Sequence, residues 1–246
     1  MTTLKQTPTL AEMPSPRLMP TAVAAPDIIY PESDGKSMAD NTKQFDYIVM
    51  IHTGIAAQFH DNPDVFVAGD LLWYPVEGDN RTSIAPDVMV AFGRPQGDRR
   101  SYLQWREGGI APQVVFEIVS QSNTWAEMAR KQRFYERFGV EEYYLYDPDR
   151  GELAGWLRQD DELKPIEEME GWVSPRLTVT FRLTPEGELE LYHPDGRKFE
   201  TAVESNLLVQ VERQRAEAAE RQVEAERQHA ERLAAKLREL GIDPDA

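Results

Sequence analysis

Val114-Val115-Phe116-Glu117-Ile118-Val119 is an apolar run of strand length, broken only by a carboxylate. Short runs rich in β-branched and aromatic residues suit buried strands. The pattern then turns helical between Asn123 and Phe138, with Met128, Phe134, Tyr135 and Phe138 on or near one face and Gly139 as a helix stop. Glu142 to Tyr146 reads as a second strand, closed by Asp147-Pro148. Strand, helix and strand in that order predict an α/β domain with helices packed on a mixed sheet.

Working outward from this unit, further strand-like runs lie at Val65 to Ala68, Leu71 to Tyr74 and Val88 to Phe92. A helical pattern begins at Met38, with Phe45, Ile48, Val49, Ile55 and Phe59 recurring along it and Asp40 in its first turn. Residues 151 to about 200 carry turn signals at Pro185-Glu186-Gly187 and Pro194-Asp195-Gly196, and predict antiparallel strands at the edge of the same domain. Residues 1–30 hold five prolines, without periodicity, and are expected to be a disordered leader; residues 31–200 form the domain. Residues 201–246 are expected to be a long charged helix, because Leu207 to Leu240 contains neither Pro nor Gly and is dominated by helix formers. Its heptads place Val209, Ala216, Val223, Ala230 and Leu237 on one seam and Glu212, Ala219, Glu226, Leu233 and Leu240 on the other. That seam suits weak self-association toward its C-terminal end, or a solvated face.

The chain has no Cys, which excludes disulfides, thiolate metal sites and a cysteine nucleophile. No run approaches the length of a membrane span, so the expected setting is soluble and cytoplasmic, with no membrane partner. A net charge of −16 argues against a broad basic surface for nucleic acid, leaving local clusters such as Arg94, Arg99, Arg100 and Arg106 to attract phosphate. His52, His60, His193 and His229 have no metal-ligand spacing.

Glu117 is the most informative residue. A carboxylate inside so apolar a strand must be protonated, paired with a cation, bound to metal or turned to solvent. Pro86-Asp87-Val88 sets a second carboxylate at the start of another apolar strand, and Lys131 lies on the helix after Glu117, from which a long side chain could reach back over the sheet. Two carboxylates at adjacent strand positions can hold a hard divalent cation, and a nearby Lys can orient a water or offset charge. Placed close together without metal they should repel, raising the pKa of one, and Glu117→Gln is expected to leave the metal-free protein as stable as before or more so.

The segments Pro31-Glu32-Ser33-Asp34-Gly35, Ala85-Pro86-Asp87-Val88, Phe116-Glu117-Ile118-Val119-Ser120, Lys131 through Tyr135, and Gly139-Val140-Glu141-Glu142-Tyr143-Tyr144-Leu145-Tyr146-Asp147-Pro148 recur in this order and spacing in one family. By them the chain resembles the Uma-two family of restriction endonucleases, within the PD-(D/E)xK nuclease superfamily. The resemblance implies a restriction-endonuclease-like fold, a metal site of Asp87 and Glu117 holding Mg²⁺ or Mn²⁺, and hydrolysis of DNA phosphodiesters. It assigns the catalytic lysine to Lys131, whereas the superfamily's usual position, two residues after the Glu, is Val119 here. It also makes Asp40 a possible auxiliary residue, and Glu127 stands where relatives often have Asp. Two rival functions remain: a non-catalytic protein of this fold acting through its C-terminal helix as an oligomerisation or partner-binding module, and a nucleic-acid-binding protein that does not cut.

Overall fold

The computed structural model describes residues 28–35 and 37–239. Most of the expected leader, and the end of the charged tail, therefore lie outside the described residues.

Helix α1 (Thr42–Gln58) comes first, followed by β1 (Val65–Gly69), β2 (Trp73–Tyr74), β3 (Val88–Phe92), β4 (Tyr102–Leu103) and a 3-10 turn at Gln104–Glu107. Then come β5 (Val114–Ile118), α2 (Trp125–Phe138), β6 (Glu142–Asp147), β7 (Glu152–Gln159), β8 (Glu162–Pro165), β9 (Thr180–Leu183), β10 (Leu189–Tyr192) and α3 (Ala202–Glu239). Six strands form one mixed sheet in the order β1-β3-β5-β6-β7-β8. Within this sheet only β5 and β6 run parallel, with Glu117 beside Leu145, because α2 crosses between them. The other pairs are antiparallel. This is the expected mixed sheet flanked by helices, with a long C-terminal helix.

Alternation along the strands divides the core in two. Val88, Val90, Val114, Phe116 and Ile118 face α1, where they meet Ile48, Ile51 and Ile55 and the hairpin residues Phe181, Leu189 and Leu191. Met89, Ala91, Val115, Tyr143 and Leu145 face the opposite way, toward Met128 and Tyr135 of α2 and Trp73 and Tyr102 of the small β2–β4 pair. Glu117, in phase with Val115, is thereby aimed at α2.

Helix boundaries follow capping chemistry. Thr124 caps α2 by accepting from the Glu127 amide, and Gly139, at φ 93°, ends it in a left-handed conformation that a side chain would disfavour. The first helix starts later than its apolar pattern suggested. Asn41 accepts from the Gln44 amide as the N-cap, so Asp40 precedes the helix instead of occupying its first turn. Thr201 and Glu204 form a reciprocal capping box, each side chain accepting from the other's amide, at the entry to α3. The strands expected between 151 and 200 divide: β7 and β8 extend the main sheet, whereas β9 and β10 pair separately and pack across its α1 face.

Candidate metal-dependent active site

Pairing of β3 with β5 sets Val88 beside Phe116, so the register carried back one residue brings Asp87 beside Glu117. Both carboxylates are buried, Glu117 to 2% exposure and Asp87 to 9%. The Ile118 amide donates to Asp87 Oδ2 at 2.6 Å, which holds the first carboxylate against the strand that carries the second. Burial, and then repulsion from Glu117, push the Asp87 pKa well above the ordinary carboxylate range, against the opposing pull of Lys131 and the Ile118 amide.

Glu117 has two donors from one helix. Lys131 Nζ reaches Glu117 Oε2 at 2.6 Å, and the Tyr135 hydroxyl donates to Oε1. Lys131 and Tyr135 are four residues apart, so α2 presents both from the same side, one turn apart. Burial works to lower the Lys131 pKa, but attraction to Glu117 and Asp87 outweighs it and raises the value.

Asp87, Glu117 and Lys131 line a cleft of about 570 Å³, together with Asp34, Asp40, Asp70, Asn123, Glu127 and Arg130. Asp40 closes one side: Ser120 Oγ and Ser122 Oγ both donate to its Oδ2, while its own amide donates to Gln44 Oε1 at 2.8 Å. Gln44 in turn donates to the Ile118 carbonyl at 2.8 Å, fixing α1 to the end of β5. Among the described residues, no three His, Cys, Asp or Glu side chains converge closely enough to hold a metal ion by themselves. None of the described histidines lines the cleft.

Two site features escaped the sequence reading. Asp70, just past β1, stands at φ 49°, unusual for a residue with a side chain, and its amide donates to the Pro86 carbonyl at 3.1 Å and that of Asp87 at 3.3 Å. Partial burial, and then Asp34, raise its pKa, with Glu117 adding to the effect and Lys131 opposing it. Its sequence signal was a carboxylate directly after an apolar strand, whereas Asp87 stands directly before one. Tyr135 was read only as part of an apolar helix face; its spacing from Lys131 was the available signal. Of the arginines expected to attract phosphate, Arg94, Arg99 and Arg100 are committed elsewhere. Arg94 and Arg99 both pair with Glu107, at 3.0 and 2.7 Å, Arg99 also lies over the Phe66 ring, and Arg100 pairs with Glu32. Arg130 is the arginine that lines the cleft.

A mixed sheet with a β5–α2–β6 crossover, whose strand ends carry paired carboxylates beneath a lysine, defines a restriction-endonuclease-like protein. The pattern of the Uma2 family, described as "Putative restriction endonuclease", matches residues 40–191, and the chain belongs to that family. No curated protein matches the chain. Among solved structures, a crystal structure described as "a putative nuclease belonging to DUF820", from Anabaena variabilis, is similar at 18% identity and a TM-score of 0.43, over 56% of this chain and 75% of that one. Among the described residues no helix is long and apolar enough to cross a membrane.

Proposed function

We propose that this protein is a divalent-metal-dependent DNA endonuclease, with Asp87 and Glu117 as metal ligands and Lys131 as the catalytic lysine. The observation that carries the reading is the buried Glu117–Lys131 ion pair set beside Asp87, whose carboxyl is pushed toward its protonated form by burial and then by repulsion from Glu117. Burying three ionisable groups at one end of a sheet is costly for stability alone, and perturbed groups in a cleft are a mark of function.

The donor set fits Mg²⁺ or Mn²⁺. Mg²⁺ takes one or two carboxylates and keeps several waters, so two hard oxygen donors suffice without a third side chain. A cation held there lowers the pKa of a bound water and offsets charge on a phosphodiester. Asp87 is held in place by the Ile118 amide, ready to offer its other oxygen. Lys131 neutralises Glu117 in the metal-free protein and, on the cleft wall, can turn its ammonium to the attacking water or to a phosphate oxygen. Asp40 is an auxiliary residue that orders Ser120 and Ser122 at the cleft edge.

With a chain charge of −16, attraction of DNA must come from the cation, Lys131 and Arg130, and binding should be weak and salt-sensitive. Supercoiled plasmid incubated with the full chain and Mg²⁺ should yield nicked and linear products, and none in chelator; intact plasmid at high protein concentration with either metal refutes the reading.

A second reading, a partner-binding or self-associating module, draws on α3. Leu207, Leu208, Val209, Val211 and Val223 are all exposed along it, as is Leu233. Of the other residues expected at its C-terminal seam, the Leu237 side chain and all of Leu240 lie outside the described residues.

A further inference from the structure

We infer that Tyr135 is a positioning residue of the acidic site: its hydroxyl fixes one oxygen of Glu117 and leaves the other as the one a divalent cation can take. The inference rests on the metal-site reading above and adds to it a role for a residue outside the cleft.

The two oxygens of Glu117 have unlike partners. Oε2 receives Lys131, which lines the cleft and is 17% exposed, on a flexible four-carbon stem. Oε1 receives Tyr135, which is fully buried and is absent from the cleft wall among the described residues. The tyrosine bond therefore lies behind the carboxylate, and the lysine bond lies on the side where a ligand enters. Nor can the Tyr135 ring swing with the carboxylate. It lies parallel to Trp73 with centroids 6.4 Å apart and meets Tyr143 at 5.1 Å, so the hydroxyl is fixed by packing on both sides.

That division has a consequence for binding. Glu117 Oε2, which Lys131 now holds, is the oxygen that would take a cation from the cleft, and Tyr135 would then be the donor that keeps the carboxylate oriented. Ligand oxygens must be held to within about 0.5 Å of productive geometry, and partners behind a metal ligand are commonly worth about 10–100-fold in metal affinity. A tyrosine that merely satisfied a buried oxygen would contribute to stability and leave affinity unchanged.

Tyr135→Phe separates the two, because it keeps the ring against Trp73 and Tyr143 and deletes only the donor. Mn²⁺ is titrated calorimetrically into the full chain as wild type, Y135F and E117Q, with folding checked by circular dichroism. The expected result is binding by wild type, about 10–100-fold weaker binding by folded Y135F, and none by E117Q. Equal affinities for wild type and Y135F, with E117Q inert, overturn the positioning role and leave the metal site standing. No binding by wild type overturns both. Should Y135F fail to fold, the wild-type chain labelled with ¹³C at tyrosine Cζ gives the answer: the Tyr135 signal is expected to shift on adding Mg²⁺, as its acceptor exchanges an ammonium for a cation. A signal unmoved at saturating Mg²⁺ overturns the inference.

Discussion

Glu117→Gln nearly preserves shape and removes one charge, so its effect on the metal-free protein measures how Glu117 is held. Glu117 and Lys131 are 2% and 17% exposed at the side chain and 2.6 Å apart. Removing one partner of a buried ion pair costs about 3–5 kcal/mol. Glutamine keeps one acceptor, so Lys131 or Tyr135 retains a neutral hydrogen bond worth about 1 kcal/mol. Asp87 also loses the neighbour that repels it, which offsets a further part. The net expectation is a loss of about 2–3 kcal/mol, which for a chain of this size lowers the melting temperature by about 4–12 °C. Melts in chelator measure it. Excess Mg²⁺ should then raise the wild-type melting temperature, by a stabilisation of about 2.7 kcal/mol at a hundredfold excess over Kd, and leave the variant unmoved. A variant as stable as wild type in chelator would refute the ion-pair argument, and a wild type indifferent to metal would refute the ligand role.

Lys131→Ala leaves Glu117 buried without its cation; it should lose about 3 kcal/mol, remain folded by circular dichroism, and lose plasmid cleavage, and wild-type rates in the folded variant would remove Lys131 from the site. The raised Asp87 pKa predicts a pH dependence in chelator. Between the unperturbed value of 3.8 and its folded value, the folded state keeps a proton that the unfolded chain has released. This stabilisation is complete below 3.8 and is lost as pH rises through the folded pKa, so wild-type stability should fall relative to Asp87→Asn across that window, and a constant difference would contradict the shift. For α3, sedimentation of the full chain against a chain ending near Ser205 should show a larger species only for the former; identical states reject self-association.

The central β5–α2–β6 unit was legible because apolar runs, a helical face and Gly139 marked every boundary within a few residues. The start of α1 was misread because its apolar pattern runs on past Asn41, and capping by that side chain, not periodicity, decides where the helix begins. The run Leu71 to Tyr74 marked β2, whereas its partner β4 has only two residues, too few for period-two alternation to register. In the site, Asp87, Glu117 and Lys131 could be singled out because charge stood against apolar surroundings. A reach of Lys131 back over the sheet was expected too, but the joint pairing of Lys131 and Tyr135 with Glu117 could not be read, since it depends on which face of β5 meets α2. That pairing also reverses a sign: two carboxylates alone predict relief when Glu117 loses its charge, whereas Lys131 and Tyr135 predict loss. Arg94 and Arg99 looked available for phosphate until folding brought Glu107 between them.

The most direct test of the proposed active site compares plasmid cleavage by wild type and Asp87→Asn at equal concentration in Mg²⁺, with folding of both verified. Asp87 touches the scaffold through the Ile118 amide, a bond the Asn oxygen can still accept, so the substitution removes charge from the site with little other change. The account predicts metal-dependent cleavage by wild type and only the chelator background for the variant. Equal cleavage by the two, or none by wild type, would contradict it.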